Sequence, residues 1–278
     1  MRIIYQPMQK YILTSILLTI CCWNASPTPQ QYDELLYNGE TLLVYLSLPE
    51  YFFNSEGLAI DLFEGREPCV MTSCWNGYYK EWEIIDNQLY LTGICSCCYY
   101  EDGIKANLET LFKGKVKNGK VKADWVTSTR LAKAGKRIYA VSDYNTIYEK
   151  EFEFEFVDGQ VISVSKYDNS KSRVSNYGAF GNELPEFIYQ NINWDILPPL
   201  SQPVKVNLRF SGNEEGKIGD IEIVGNKNHD KIFYEEAIRV MKKISGWAVL
   251  YSKEELVRIP YSIKIVFSEE NKQKYNSK

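Results

Sequence analysis

One histidine, His229, serves all 278 residues of the chain. Ser-His-Asp or Cys-His catalysis would have to assemble around that single imidazole, with no second histidine to share a metal. No glycine-rich phosphate loop is visible, and the glycines sit at turns. Paired C-x2-C knuckles of the zinc-binding kind are missing too. Basic residues are scattered under a net charge of −4, so no nucleic-acid partner is expected. The apolar run near the N-terminus, Tyr11 to Trp23, has 13 residues. A spanning helix needs roughly 20. These shortages point away from an enzyme and away from a cofactor.

What is abundant is tyrosine, 21 residues, in a composition that is 45% hydrophobic and 24% charged. That is a globular composition with a bias toward strands. The length allows two ordinary domains. Arg2 and Lys10 precede the apolar run, and polar "NASPTPQQ" follows it, the layout of a signal peptide over residues 1–25. Cys21 and Cys22 close the run and resemble the acylated cysteine of bacterial lipoproteins, with Cys22 the first lipidation candidate and Cys21 the second. Soluble export after Ala25 and a short uncleaved anchor are the alternatives. Each places the mature chain outside the cytoplasm, in the periplasm or anchored in the cell envelope.

Residues 26–183 carry hairpin signals. Asp86-Asn87, Asn118-Gly119 and Asp158-Gly159 each separate two β-rich runs, and "ETLLVYLSL" over 40–48 is strand-like. Glu151, Glu153 and Glu155 alternate with Phe152, Phe154 and Phe156, which predicts one packed face and one solvated, acidic face. Consecutive hairpins predict an antiparallel meander or partly closed sheet. Between 168 and 183 the pattern lapses into Ser, Asn and Gly, and a domain boundary is expected there.

Five cysteines, Cys69, Cys74, Cys95, Cys97 and Cys98, fall within 30 residues. In an exported chain, disulfides between the 69/74 pair and the 95–98 group are preferred over reduced thiols or a metal site. An odd count leaves one thiol over. Trp75, Tyr78, Tyr79, Trp82, Tyr99 and Tyr100 gather nearby and could stack on sugars, though core and cross-strand packing is the plainer expectation.

Beyond 183 the order is helix, two strands, helix, strand, then a polar tail over 269–278 that is expected to be disordered. In "DKIFYEEAIRVMKKISGW", Phe233, Ala237, Val240, Met241 and Ile244 form one apolar stripe that must lie on a sheet. The fold class is therefore α+β.

The stretch "LPEFIYQNINW", "VKVNLRF", "GKIGDIEIVG", "YEEAIRVMKKISGW" and "VRIPYSIKIVF" resembles the C-terminal domain of the TonB family, over residues 184–268. The resemblance implies a TonB-like αββαβ domain in a Gram-negative envelope. It also implies that a partner strand, from an envelope protein such as an outer-membrane receptor, is added to the sheet edge. The edge expected is Val257, Arg258, Ile259, Pro260, Tyr261, Ser262 and Ile263, within one strand running to Phe267; core completion by its odd positions is the plainer alternative. Neither the spanning helix nor the long proline-rich spacer of an energy transducer is present among these residues. A non-enzymatic protein-binding module is thus expected first, with a reduced transducer or a glycan-binding envelope protein as alternatives. The segment "TSCWNGYYKEWEIIDNQLYLTGI" is similar to uncharacterised bacterial envelope proteins.

Overall fold

The structure, a computed structural model, describes residues 30–52, 61–140, 146–178, 182–225 and 229–276. The signal-peptide segment and both lipidation candidates, Cys21 and Cys22, lie outside the described residues. The chain is mixed α+β and mostly sheet.

The first unit contains β1 (Asp33–Tyr37), β2 (Glu40–Val44), β3 (Tyr78–Ile85), β4 (Gln88–Ser96), β5 (Val116–Lys117), β6 (Lys120–Lys122), β7 (Ser128–Tyr139), β8 (Ile147–Val157) and β9 (Gln160–Asp168). Two one-turn helices, α1 (Tyr99–Asp102) and α2 (Leu108–Leu111), lie between β4 and β5. Asn38-Gly39, Asp86-Asn87, Asn118-Gly119 and Asp158-Gly159 all hold positive φ at both positions. That is the backbone twist a two-residue hairpin needs, and Asn, Asp and Gly reach it at least cost.

The strands run β3-β1-β2-β7-β8-β9-β4, and β3 also pairs with β4, so the sheet closes on itself. The expectation was an antiparallel meander or partly closed sheet; the ring is fully closed, and the correction lies in β1, which pairs with β3 in parallel. The long connection from Val44 to Tyr78 is what permits a parallel neighbour. Inside the ring lie Leu35, Leu42, Trp82, Leu91, Phe154 and Phe156, all fully buried. The expected strand over 40–48 is shorter than predicted, and the 12-residue β7 carries too mixed a pattern to be read beforehand.

The second core is built from α3 (Glu183–Asn191), β10 (Val204–Gly212), β11 (Ile218–Ile223), α4 (Lys231–Met241), β12 (Leu250–Ser252), β13 (Glu255–Val257), β14 (Tyr261–Phe267) and α5 (Glu269–Tyr275). The sheet order is β11-β10-β14, antiparallel throughout. The α4 stripe of Phe233, Ala237, Val240 and Met241 is buried, continues through Ile244 just past the helix, and shares one core with Val206, Leu208, Phe210, Ile265 and Phe267. Each fully buried aliphatic or aromatic side chain there contributes about 1.5–3 kcal/mol. Gly246 ends the segment at φ 73, a left-handed position with the Asn176 side chain packed against it, where any Cβ would collide.

Three expectations are revised. The strand drawn from 257 to 267 is broken: Val257 pairs with Leu250 in the β12–β13 hairpin, and β14 starts only at Tyr261. Pro260, without an N–H, sits at the break. The tail expected to be disordered is helical from Glu269 to Tyr275, because Ser268 accepts the Asn271 N–H as an N-cap and Tyr275 stacks on Tyr189 at 5.2 Å.

The acidic face of β8 is not simply solvated. Glu151 is 1% exposed and accepts from Ser252 Oγ at 3.0 Å and Lys253 N–H at 2.8 Å, while Glu153 pairs with Lys253 Nζ. The β12–β13 hairpin has docked on it. Residues after β9 belong to the same junction. Buried Asn169 donates to Tyr148 O and accepts from Glu254 N–H, and Arg173 and Val249 exchange backbone hydrogen bonds.

Candidate sheet-edge binding site

The candidate site is the outer edge of β14, and its geometry follows from the pairing of β10. Asn207 O accepts from Val224 N–H, so the odd positions of β10 serve β11 and the even ones serve β14. The register places Leu208 opposite Ile263 and Val206 opposite Ile265. Odd residues of β14 therefore bond to β10, and Ser262, Lys264 and Val266 direct their backbone groups away from the sheet. Val266 confirms the direction: its N–H donates to Tyr189 Oη at 3.1 Å, and its carbonyl accepts from Asn271 Nδ2 at 2.8 Å. Helices α3 and α5 thus close one end of the edge.

At the other end the Tyr261 hydroxyl meets the Tyr139 hydroxyl of β7 at 2.7 Å. Burial, followed by the contact with Tyr139, holds the Tyr261 phenol well above its ordinary range. Between these stops lie the N–H and C=O groups of Ser262 and Lys264. Among the described residues none of these four groups has a partner outside the sheet. Both side chains are exposed, so this stretch of the edge is open to a second strand among the described residues.

Of the predicted edge residues, Tyr261, Ser262 and Ile263 are in β14. Val257 is committed to β13, Arg258 pairs with Asp220 at 3.2 Å, and Ile259 and Pro260 form the connection. The open groups sit further along than the prediction, at 262 and 264. Lys264 and Val266 lie in the expected edge strand to Phe267 but beyond the residues singled out in it, and Tyr189 and Asn271 were not expected at all. Only the alternation of exposed Ser262 and Lys264 with Ile263 and Ile265 hinted at Lys264.

The cysteine cluster sits on the first unit. Cys69 pairs with Cys98 and Cys74 with Cys97, with Cα separations of 5.6 and 6.2 Å. Adjacent Cys97 and Cys98 take different partners. Cys95 is the leftover thiol, buried on β4 opposite Tyr79 and Lys105. Burial, with the nearby Glu81 carboxylate, pushes the thiol up to about 12. Glu81 itself pairs with Lys105 at 2.6 Å over Gly93, where a Cβ would collide with both. Among the described residues, no group of three His, Cys, Asp or Glu side chains is placed to hold a metal ion.

The aromatic cluster divides. Strand alternation buries Tyr78 and Trp82 toward the core and Tyr79 over Cys95, while Trp75 and Tyr100 are exposed. An open cleft of about 650 Å³ lies beside the junction, lined by residues including Tyr37, Glu40, Phe152, Lys166 and Glu254. Its charges are engaged: Glu40 with Lys150, Glu254 with the Asp168 N–H, and Lys166 over the Tyr37 and Phe152 rings. His229 stands half-buried ahead of α4, its backbone N–H donating to Tyr234 Oη.

No protein-family model, no curated protein and no solved structure matches this chain.

Proposed function

We propose that the chain is an exported, lipid-anchored envelope protein. Its C-terminal unit, read as TonB-like, binds a partner protein by accepting one of that partner's strands along β14. No chemistry is assigned to the site. The observation that carries this reading is the run of unpaired outward backbone groups at Ser262 and Lys264, on an edge strand of a three-stranded sheet. Main-chain pairing of this kind asks little of side chains, which suits a site with no buried charge or nucleophile. The two disulfides support an oxidising compartment. The TonB resemblance suggests an outer-membrane receptor as the partner.

The test is a crosslinked pull-down from envelope membranes with three chains: wild type, Lys264→Ala and Lys264→Pro. Proline removes the outward N–H without touching the β10 ladder. Wild type and Lys264→Ala should recover the same envelope protein, and Lys264→Pro should lose it. Equal recovery by all three would refute strand addition at this edge.

A further inference from the structure

Four apolar side chains stand in solvent, three on the loop before β3 and one on the one-turn helix α1. They are Val70, Met71, Trp75, which is 75% exposed, and Tyr100, which is 86% exposed. Single exposed apolar residues are ordinary, but these share one frame. Both disulfides, Cys69–Cys98 and Cys74–Cys97, cross-link that loop to the residues leading directly into α1. A stapled frame loses little freedom on binding, so the knob is preorganised.

The chain also reaches this knob directly from its N-terminal segment. Gln30 Nε2 donates to Thr72 O at 3.1 Å, and Gln30 Oε1 accepts from Trp75 N–H at 3.2 Å. Gln31 N–H donates to Ser73 O at 2.6 Å. The apolar run ends at Trp23, seven residues before Gln30. Seven extended residues span at most about 25 Å. Whatever holds that run, or a lipid on Cys22, therefore holds the knob close by.

We infer that the knob is a membrane-interface contact, with Val70, Met71, Trp75 and Tyr100 resting in the headgroup zone of the bilayer that carries the N-terminus. Trp and Tyr favour that zone because each joins an apolar ring to a polar handle. Glu67, Glu101 and Asp102 lie in the same two segments as Arg66, while Lys105 is paired with Glu81, so the surface suited is zwitterionic phospholipid and not an anionic one. The inference rests on the membrane attachment proposed above.

The test uses the chain as isolated from membranes, carrying 5-fluorotryptophan, in phosphatidylcholine nanodiscs with and without a doxyl-labelled lipid. A Trp75→Phe variant assigns the Trp75 fluorine signal. The expected result is several-fold greater broadening of the Trp75 line than of the lines from buried Trp82 and Trp194. A sharp Trp75 line in a chain that stays with the nanodiscs would overturn the knob contact and leave the anchor standing. A chain that does not attach to nanodiscs would overturn the anchor, and this inference with it. Shielding of Trp75 from an aqueous paramagnetic agent without any bilayer would assign the patch to another segment of the chain, which also overturns it.

Discussion

Cys95 shows how one residue's chemistry is set by its neighbours. Four nearby cysteines are oxidised in pairs, yet this thiol is sealed on the outer face of β4 between Tyr79, Glu81 and Lys105. Burial and the Glu81 carboxylate both disfavour the thiolate, which is the reactive form. At pH 8 the folded chain should leave Cys95 unmodified by N-ethylmaleimide in a peptide map, with labelling only after denaturation. Rapid labelling of the folded chain would contradict the buried placement. The sign of the linkage follows from the raised value. The contribution of Cys95 to stability is complete below the ordinary thiol range near 9, and it is lost as pH rises from there toward about 12. The odd number of cysteines in the cluster pointed to one left over. Which one was settled by the hairpin register, and the spacing does not contain that.

At the scale of elements, local chemistry was legible and pairing between distant strands was not. Asp86-Asn87, Asn118-Gly119 and Asp158-Gly159 announced their hairpins because positive φ at two successive positions admits few residue types. The α4 stripe announced a buried face for the same kind of reason, a period fixed by the helix. Closure of the ring, and the parallel β1–β3 pair, depend on the path of a long connection that carries no periodic signal. The break at Arg258 to Pro260 was obscured because apolar alternation continues in phase across it, from Val257 and Ile259 to Tyr261. Helix α5 has no apolar stripe, yet its ends were marked: Ser268 as cap, Glu269 and Glu270 in the first turn, Lys272 and Lys274 in the last. That signal was present and was outweighed by the polarity of the segment. The outward groups of Ser262 and Lys264 were the least legible, since the direction of an edge N–H is decided by which residues of β10 it faces.

For the whole molecule, the junction between the two cores is the feature that sequence patterning misread. Alternation correctly sent Glu151, Glu153 and Glu155 to one face of β8, but the docking of the β12–β13 hairpin there is a tertiary event. Glu151 now satisfies Ser252 and the Lys253 N–H in a buried setting, while Glu155 stays exposed beside Ser163. Glu151→Gln should lower stability by about 1–3 kcal/mol, because the part-buried Ser252 Oγ and Lys253 N–H donors lose a charged acceptor. Glu155→Gln should stay within about 0.5 kcal/mol. Urea unfolding of both variants measures this, and equal effects would mean the hairpin does not dock in solution. The junction also fixes the barrel-side Tyr139 against the first residue of β14, so the length of the open edge is set by both units together.

The most direct test of strand addition is amide hydrogen exchange across Tyr261–Phe267, in the free chain and in the complex recovered from crosslinked envelopes. In the free chain, the Ser262 and Lys264 amides should exchange fast while Ile263 and Ile265 are protected by β10. In the complex, Ser262 and Lys264 should become protected as well. Fast exchange at both positions in the complex would contradict the account, because the partner would then be held somewhere other than the β14 edge.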